Sequence, residues 1–324
     1  MKTSRPPHVM SRRNKQCGLS LIELMISITI GLLILSTMAT LFSNQSRIRG
    51  ELDKTSRMID NGRYALESLS DNLRVAGFYG SYMPNGTTSA DPDPCDLAAI
   101  TNPASNLDEL LHHVQGYRAP SLTGQIASLP TNCGLTYTAG SANTLKAGSD
   151  ILVLRRTGTL TPVAAASAVA ATLYFQVSNC STDASAYKIA AGSAGFATLH
   201  DKDCTTSASL RPFIVQVYFV SPDNNPGDGI PTLKRLELDQ ATGAFVTTPL
   251  VEGIEYLKVD YGLDTNADGA ADSYIASPTA ANWPSVVSVK LSIIARNTEA
   301  TRGYTDTRSY VLGSAGSVGP FNDA

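Results

Sequence analysis

Between residues 264 and 272 the run Asp264-Thr-Asn266-Ala-Asp268-Gly269-Ala270-Ala-Asp272 puts side-chain oxygens at positions one, three and five, glycine at six and a carboxylate at nine. That spacing opens an EF-hand loop, where the glycine permits the sharp turn and the carbonyl of Ala270 would serve at position seven. The expected ligands for Ca2+ are therefore Asp264, Asn266, Asp268, Ala270 and Asp272. Position twelve is Ile275 in place of the bidentate glutamate. A shell completed by water or by a distant residue binds weakly, in the range of about 10⁻⁴–10⁻³ M. Three carboxylates this close repel one another unless a cation lies between them, whereas a plain Asp/Asn/Gly hairpin turn needs no metal. A second acidic turn, Asp223-Asn-Asn-Pro-Gly-Asp228-Gly229, lacks the one-three-five pattern and reads as a turn only.

The other chemically odd residue is Glu23, the one charge in the apolar run from Leu19 to Phe42. An ionised carboxylate in hydrocarbon costs a few kcal/mol and usually marks function, although near the interface it can snorkel to the headgroups. Catalytic patterns are missing: the chain has no G-x-S-x-G, no Walker glycine loop, no G-x-G-x-x-G and no H-E-x-x-H. His112, His113 and His200 fit no metal spacing, and the expectation is a protein that is not an enzyme.

The elements that must position these residues start at the N-terminus. The 24 residues from 19 to 42 would form a helix of roughly 36 Å, enough to cross a hydrocarbon core of about 30 Å. Residues 1–18 hold Lys2, Arg5, Arg12, Arg13 and Lys15 and no acid, so they should stay cytoplasmic and place everything after Phe42 on the far side. Removing those five from the 25 basic residues leaves 20 against 28 acidic ones, a balance that argues against general nucleic-acid binding. With 43% hydrophobic residues over 324 positions, intrinsic disorder is excluded as the main state.

After Phe42 the apolar residues Ile48, Leu52, Thr55, Ile59, Gly62, Leu66, Leu69, Leu73 and Ala76 recur at spacings of four and three, one stripe of an amphipathic helix. The joined helix is expected over 19–76, with Gly77 as its C-cap. Residues 77–149 are rich in turn formers and read as a loop-rich connector. Strands are expected at Asp150–Arg156, Thr172–Val177, Phe213–Val220, Leu233–Leu238, Ile254–Gly262, Val286–Ala295 and Tyr304–Leu312, several of them alternating apolar and polar residues. One long helix followed by a β-rich head at 150–324 is an α+β arrangement.

The junction Cys17-Gly18-Leu19-Ser20-Leu21-Ile22-Glu23 resembles the class III leader junction of type IV pilins and type II secretion pseudopilins. The resemblance implies a leader of residues 1–18 cut after Gly18, an N-methylated new terminus at Leu19, and Glu23 as the glutamate that pairs with a neighbouring subunit's terminal amine. Most members have phenylalanine where this chain has Leu19. It also implies a pilin-like fold, with the membrane half of the helix at 19–42 and the amphipathic half at 43–76 lying against the chain's own sheet.

The segment PLVEGIEYLKVDYGLDTNADGAADSY at 249–274, with the run beginning Trp283-Pro-Ser-Val-Val, is similar to PilW-type minor pilins, as are Asn61-Gly-Arg-Tyr-Ala-Leu and Leu73-Arg-Val-Ala-Gly-Phe-Tyr-Gly. This implies a minor pilin active in initiation or assembly of type IV pili, in a tip or priming complex. The implied partners are other minor and major pilins, the prepilin peptidase/N-methyltransferase, the inner-membrane assembly platform and, as a candidate, a tip adhesin. The implied location is the inner membrane, single-pass with a periplasmic head, and then the pilus. The rival readings are a minor pseudopilin of a type II secretion system and a membrane-anchored adhesin that never polymerises.

With Cys17 leaving in the leader, Cys95, Cys133, Cys180 and Cys204 remain, an even number suited to disulfides outside the cytosol. Three connectivities exist. Neighbour pairing, Cys95 with Cys133 and Cys180 with Cys204, is expected because each bond then closes one loop-rich segment.

Overall fold

The structure, a computed structural model, describes residues 18, 20–88, 90–193, 195–196, 198–301 and 303–321. The chain divides after Asp53 into two compact units. Helix α1, Leu21–Leu73, begins in the first unit and contains no proline to break it over its 53 residues. Every residue from 21 to 50 is exposed except Gly31, which is half-buried. Its hydroxyls bond back to the helix: Ser27 Oγ donates to the Glu23 carbonyl at 2.6 Å, and Thr29, Thr37 and Thr40 donate to the carbonyls of Ile26, Ile34 and Thr37 at 2.8 Å. From Leu24 to Phe42 little but hydrocarbon is left to meet the surroundings, the surface a lipid tail accepts without cost.

In the second unit the expected stripe holds only in part. Ile59 is exposed, as are Ile48 and Leu52 of the first unit, while Ala65 and Leu69 are fully buried and Leu73 and Ala76 pack beside them. The cause lies at Gly62, where an added Cβ would stand 3.3 Å from the Ala295 Cβ. A bare backbone lets the helix close on the head there, and before that point charge makes the contact, with Lys54 and Arg57 at 3.8 and 3.7 Å from Glu299. The helix stops at Leu73 rather than 76. Gly77, at φ +77°, then turns the chain so that its N–H reaches the Arg155 carbonyl at 2.9 Å.

Two short helices, α2 (Leu97–Thr101) and α3 (Asn106–Leu111), precede the strands. These are β1 (Val114–Tyr117), β2 (Ile151–Thr157), β3 (Leu173–Val177), β4 (Tyr187–Ala191), β5 (Leu210–Ser221), β6 (Thr232–Leu238), β7 (Phe245–Glu252), β8 (Ile254–Leu263), β9 (Ser273–Ile275), β10 (Val286–Ala295), β11 (Tyr310–Val311) and β12 (Ser317–Val318). The first seven form one antiparallel sheet organised on β5, which pairs β2 and β6 on opposite edges and β3 near its start. A second sheet has the order β10-β8-β9.

Side chains alternate across the large sheet, and both faces are buried. Ile151, Val153, Val215, Val217 and Phe219 meet Tyr79, Ile100 and Leu110 on one side. Leu152, Leu154, Tyr218 and Val220 meet Leu69, Leu257, Val259, Tyr261 and Trp283 on the other. The α+β reading stands, but the connector does not: residues 77–149 supply α2, α3, β1 and much of the first core. The strand expected at Tyr304–Leu312 shrinks to β11, because Thr305, Asp306, Thr307 and Arg308 offer no apolar face to bury.

Two buried ionic groups tie these layers. Arg155 on β2 donates from Nε to Glu109 of α3 at 2.5 Å, and from its other nitrogens to the His112 carbonyl and Gln115 Oε1, both at 2.8 Å. Asp150 accepts from Lys258 Nζ at 2.8 Å, Ala119 N at 3.0 Å, and both Val259 N and Arg118 at 3.1 Å.

Candidate functional site

At the helix start, Gly18 is exposed, and among the described residues nothing lies within 4 Å of where a Cβ would stand. Cys17 and Leu19 lie outside the described residues. The Ser20 N–H donates to Glu23 Oε2 at 3.1 Å and the Glu23 N–H donates to Ser20 Oγ at 3.3 Å. This is a capping box, in which serine and a glutamate three residues on satisfy each other's backbone donors at a helix N-terminus. It keeps the carboxylate at the first turn, beside the positive end of the helix dipole, where a negative charge is most easily held.

The acidic loop joins β8 to β9. Its base is closed by Asp272 N to the Leu263 carbonyl at 2.8 Å and by Asp264 N to the Ser285 carbonyl at 2.9 Å. Asp264 accepts from Asn266 N, Ala267 N and Gly269 N, and Asp268 accepts from Ala270 N. The Asn266 amide nitrogen donates to Asp268 Oδ2 and to Asp272 Oδ1, each at 3.2 Å. Asp272 also takes both the hydroxyl and the N–H of Thr265, which hold its carboxyl below the ordinary carboxylate range. The structure thus gathers Asp264, Asn266, Asp268 and Asp272 into one network, and Ala270 joins through its N–H. No ion pair reaches these carboxylates among the described residues.

Among the described residues, the acidic and thiol groups whose ligand atoms all lie within 4.8 Å of one another are Asp93, Cys95 and Cys133. Both sulfurs there are spent in a disulfide, so this set is no metal centre. The bonds formed are Cys95–Cys133 and Cys180–Cys204, the neighbour pairing, across separations of 38 and 24 residues. Closing loops of that length removes unfolded-state entropy corresponding to about 3 to 4 kcal/mol each.

The histidines have partners far away in sequence, so spacing could not reveal them. His112 Nε2 lies 3.2 Å from Asp91 Oδ1, the same oxygen that accepts from Trp283 Nε1 at 3.0 Å. His200 Nδ1 lies 2.8 Å from Asp183 Oδ1, and Ser178 Oγ donates to Asp183 Oδ2 at 2.6 Å. Here the serine faces the carboxylate and not the imidazole, so nothing in the trio deprotonates the hydroxyl. Donation from Ser178 and His200 holds the Asp183 carboxyl down at about 2.

Residues 217–324, from within β5 to the C-terminus, match the family model of the type IV pilus-assembly protein W, and residues 13–39 match the prokaryotic N-terminal methylation motif. No curated protein and no solved structure matches the chain. A methylation motif at the start of a long apolar helix, followed by an antiparallel β head, defines a pilin. Within that class the two matches support a type IV minor pilin of the PilW type. That family serves in structure and assembly, and its members work with other pilins and the assembly machinery.

Proposed function

We propose that this minor pilin acts in the initiation of type IV pili, in a priming or tip complex, with the first part of α1 in the filament core and the head on the periplasmic side before extrusion. The observation that carries this reading is the apolar start of α1: over 18 residues its mean hydropathy is 2.1, and none of that window is buried. A helix face of that kind needs lipid or other helices around it. Glu23 is the only charge in this apolar stretch, and pairing with a neighbour's N-terminal amine would neutralise two charges too costly to bury singly. Cleavage after Gly18 and methylation at Leu19 would supply that amine. The test is Glu23→Ala with pili counted per cell. A marked loss of pili is expected, whereas an unchanged number would favour a membrane-anchored adhesin that does not polymerise.

We also infer that the loop of Asp264, Asn266, Asp268, Ala270 and Asp272 takes Ca2+ weakly. In support, its side-chain oxygens converge on the Asn266 amide, and a cation there would relieve the repulsion among three carboxylates. Calcium should raise the melting temperature of the wild type and leave Asp264→Ala unchanged. Equal melting of the wild type with calcium and with chelator would remove the site.

A further inference from the structure

Among the edge strands, β10 is left open along its length. β7 carries Pro249 and a register shift against β6, and the Asn61 amide donates to its Glu252 carbonyl at 3.1 Å. The other edges are short: β1 has four residues, β4 five and β9 three. β10 runs for ten residues without a proline and pairs only with β8. In an antiparallel pair every second residue turns its N–H and C=O away from the partner strand. Beyond the Val286 carbonyl, which lies 3.2 Å from His113 Nε2, no backbone group of residues 287–295 is bonded to anything but β8 among the described residues. An edge of this length with free donors and acceptors is a template for another strand.

The two faces of β10 set the chemistry of that strand. On the inner face Val289 and Leu291 pack against the second core, and with Leu66 and Leu73 of α1 they line a groove of about 650 Å³ beside the strand. None of the residues lining this groove is acidic, and Arg74, which is among them, lies 3.3 Å from Asp71. On the outer face Lys290 is exposed, in one row with Ser288 and Ser292. The residue across from it on β8 is Asp260, a carboxylate already taken by Arg118 at 3.6 Å and by the Ser314 N–H at 3.1 Å. Lys290 is in no ion pair among the described residues. A lysine on an open edge discourages indiscriminate pairing and favours a strand that brings an acid to meet it.

We propose that the outer edge of β10 takes an extended segment of a partner protein as an added strand. Its apolar side chains, at every second position, sit in the groove between α1 and β10, and an acidic side chain on its other face meets Lys290. The period of two follows from the pleat, which sends successive side chains to opposite faces. Main-chain bonds supply the affinity, and the two rows of side chains supply the selectivity. A second copy of this chain, pairing through its own β10, would bring another lysine where an acid is wanted, and like charges across strands repel.

The test titrates the full chain in detergent micelles with short blocked peptides and reads hydrogen–deuterium exchange of residues 286–295. The peptide TVTVEVTVT puts its valines on one face and its glutamate on the other, TVTVKVTVT differs only in that charge, and VVTTETTVV has the composition of the first without its alternation. The first should slow exchange over 286–295. The second should need about tenfold more peptide for the same protection, and the third should give none. Lys290→Glu should reverse the ranking of the first two. Its site is exposed, so the variant should melt with the wild type. Should it fail to fold, Lys290→Ala takes its place and should bind the first two peptides alike. The proposal is overturned by an absence of slowing with the first peptide at about 1 mM, by equal protection from the third, or by an unchanged ranking in the variant. Protection of 286–295 that rises with protein concentration alone would also overturn it, because a second copy would then be the occupant.

Discussion

Two groups of carboxylates in this head face opposite situations. Asp150 and Asp260 are buried, and the chain supplies their cations: Lys258 and Arg118 lie 2.8 and 3.1 Å from Asp150, and Arg118 is 3.6 Å from Asp260. Asp264, Asp268 and Asp272 are grouped as closely but meet only N–H, hydroxyl and amide donors among the described residues. Desolvation explains the contrast. A buried anion must bring its own counter-charge or cost several kcal/mol, while an exposed one can leave its charge to water or to a dissolved ion. The first group therefore builds the head and locks β8 against residues 118–119 and 150, and the second is left to solvent and its own donors.

The largest effect should come from stripping the buried group of its cation. Lys258→Met leaves Asp150 inside with one charge partner fewer and is expected to lower unfolding stability by about 3–5 kcal/mol in a denaturant titration. A loss under about 1 kcal/mol would mean that the buried pairs do not anchor the second sheet. Next comes the staple beside Asp93: replacing Cys95 and Cys133 with serine should cost about 3–4 kcal/mol, read as a lower denaturation midpoint with a steeper slope, because the freed denatured chain exposes more surface. A smaller change is expected in the acidic loop. With calcium at a hundred times its dissociation constant the wild type gains about 2.7 kcal/mol, and Asp268→Ala should gain nothing while matching the wild type in chelator.

How much of this could be read beforehand differs along the chain. Strands β2, β5, β6, β8 and β10 announce themselves because long runs of alternating or continuous apolar residues fill two cores. β4, β7 and β9 do not. β7 carries Val246, Thr248 and Pro249 toward solvent at a sheet edge, and β9 is three residues long. The stretch 77–149 reads as a connector because its core residues, Tyr79, Ile100 and Leu110, are scattered among turn formers and carry no period. What makes it part of the head is long-range: the Cys95–Cys133 bond and the Arg155 network. In the candidate site, the Ser20–Glu23 capping pair and the turn of the acidic loop follow from local spacing. The contacts of Asp91 with His112 and Trp283, and of His113 with Val286, do not, since they form only through tertiary folding.

The smallest expected effect concerns a half-buried carboxylate with its own donors. Asp183 has its pKa lowered to about 2 by Ser178 and His200, so its stabilising effect is present above the unfolded value of about 3.9 and is lost as pH falls toward the folded one. Asp183→Asn should therefore melt slightly below the wild type at neutral pH, and the gap should close in acid. A gap that widens in acid would contradict that assignment.

The central claim is that this chain is a processed subunit of a type IV pilus, and mass spectrometry of sheared, purified pili tests it most directly. The account predicts a chain that begins at a methylated Leu19 and still carries the apolar helix through Phe42. Finding the protein only in membranes of piliated cells, with residues 1–18 still attached or the apolar helix removed, would contradict it.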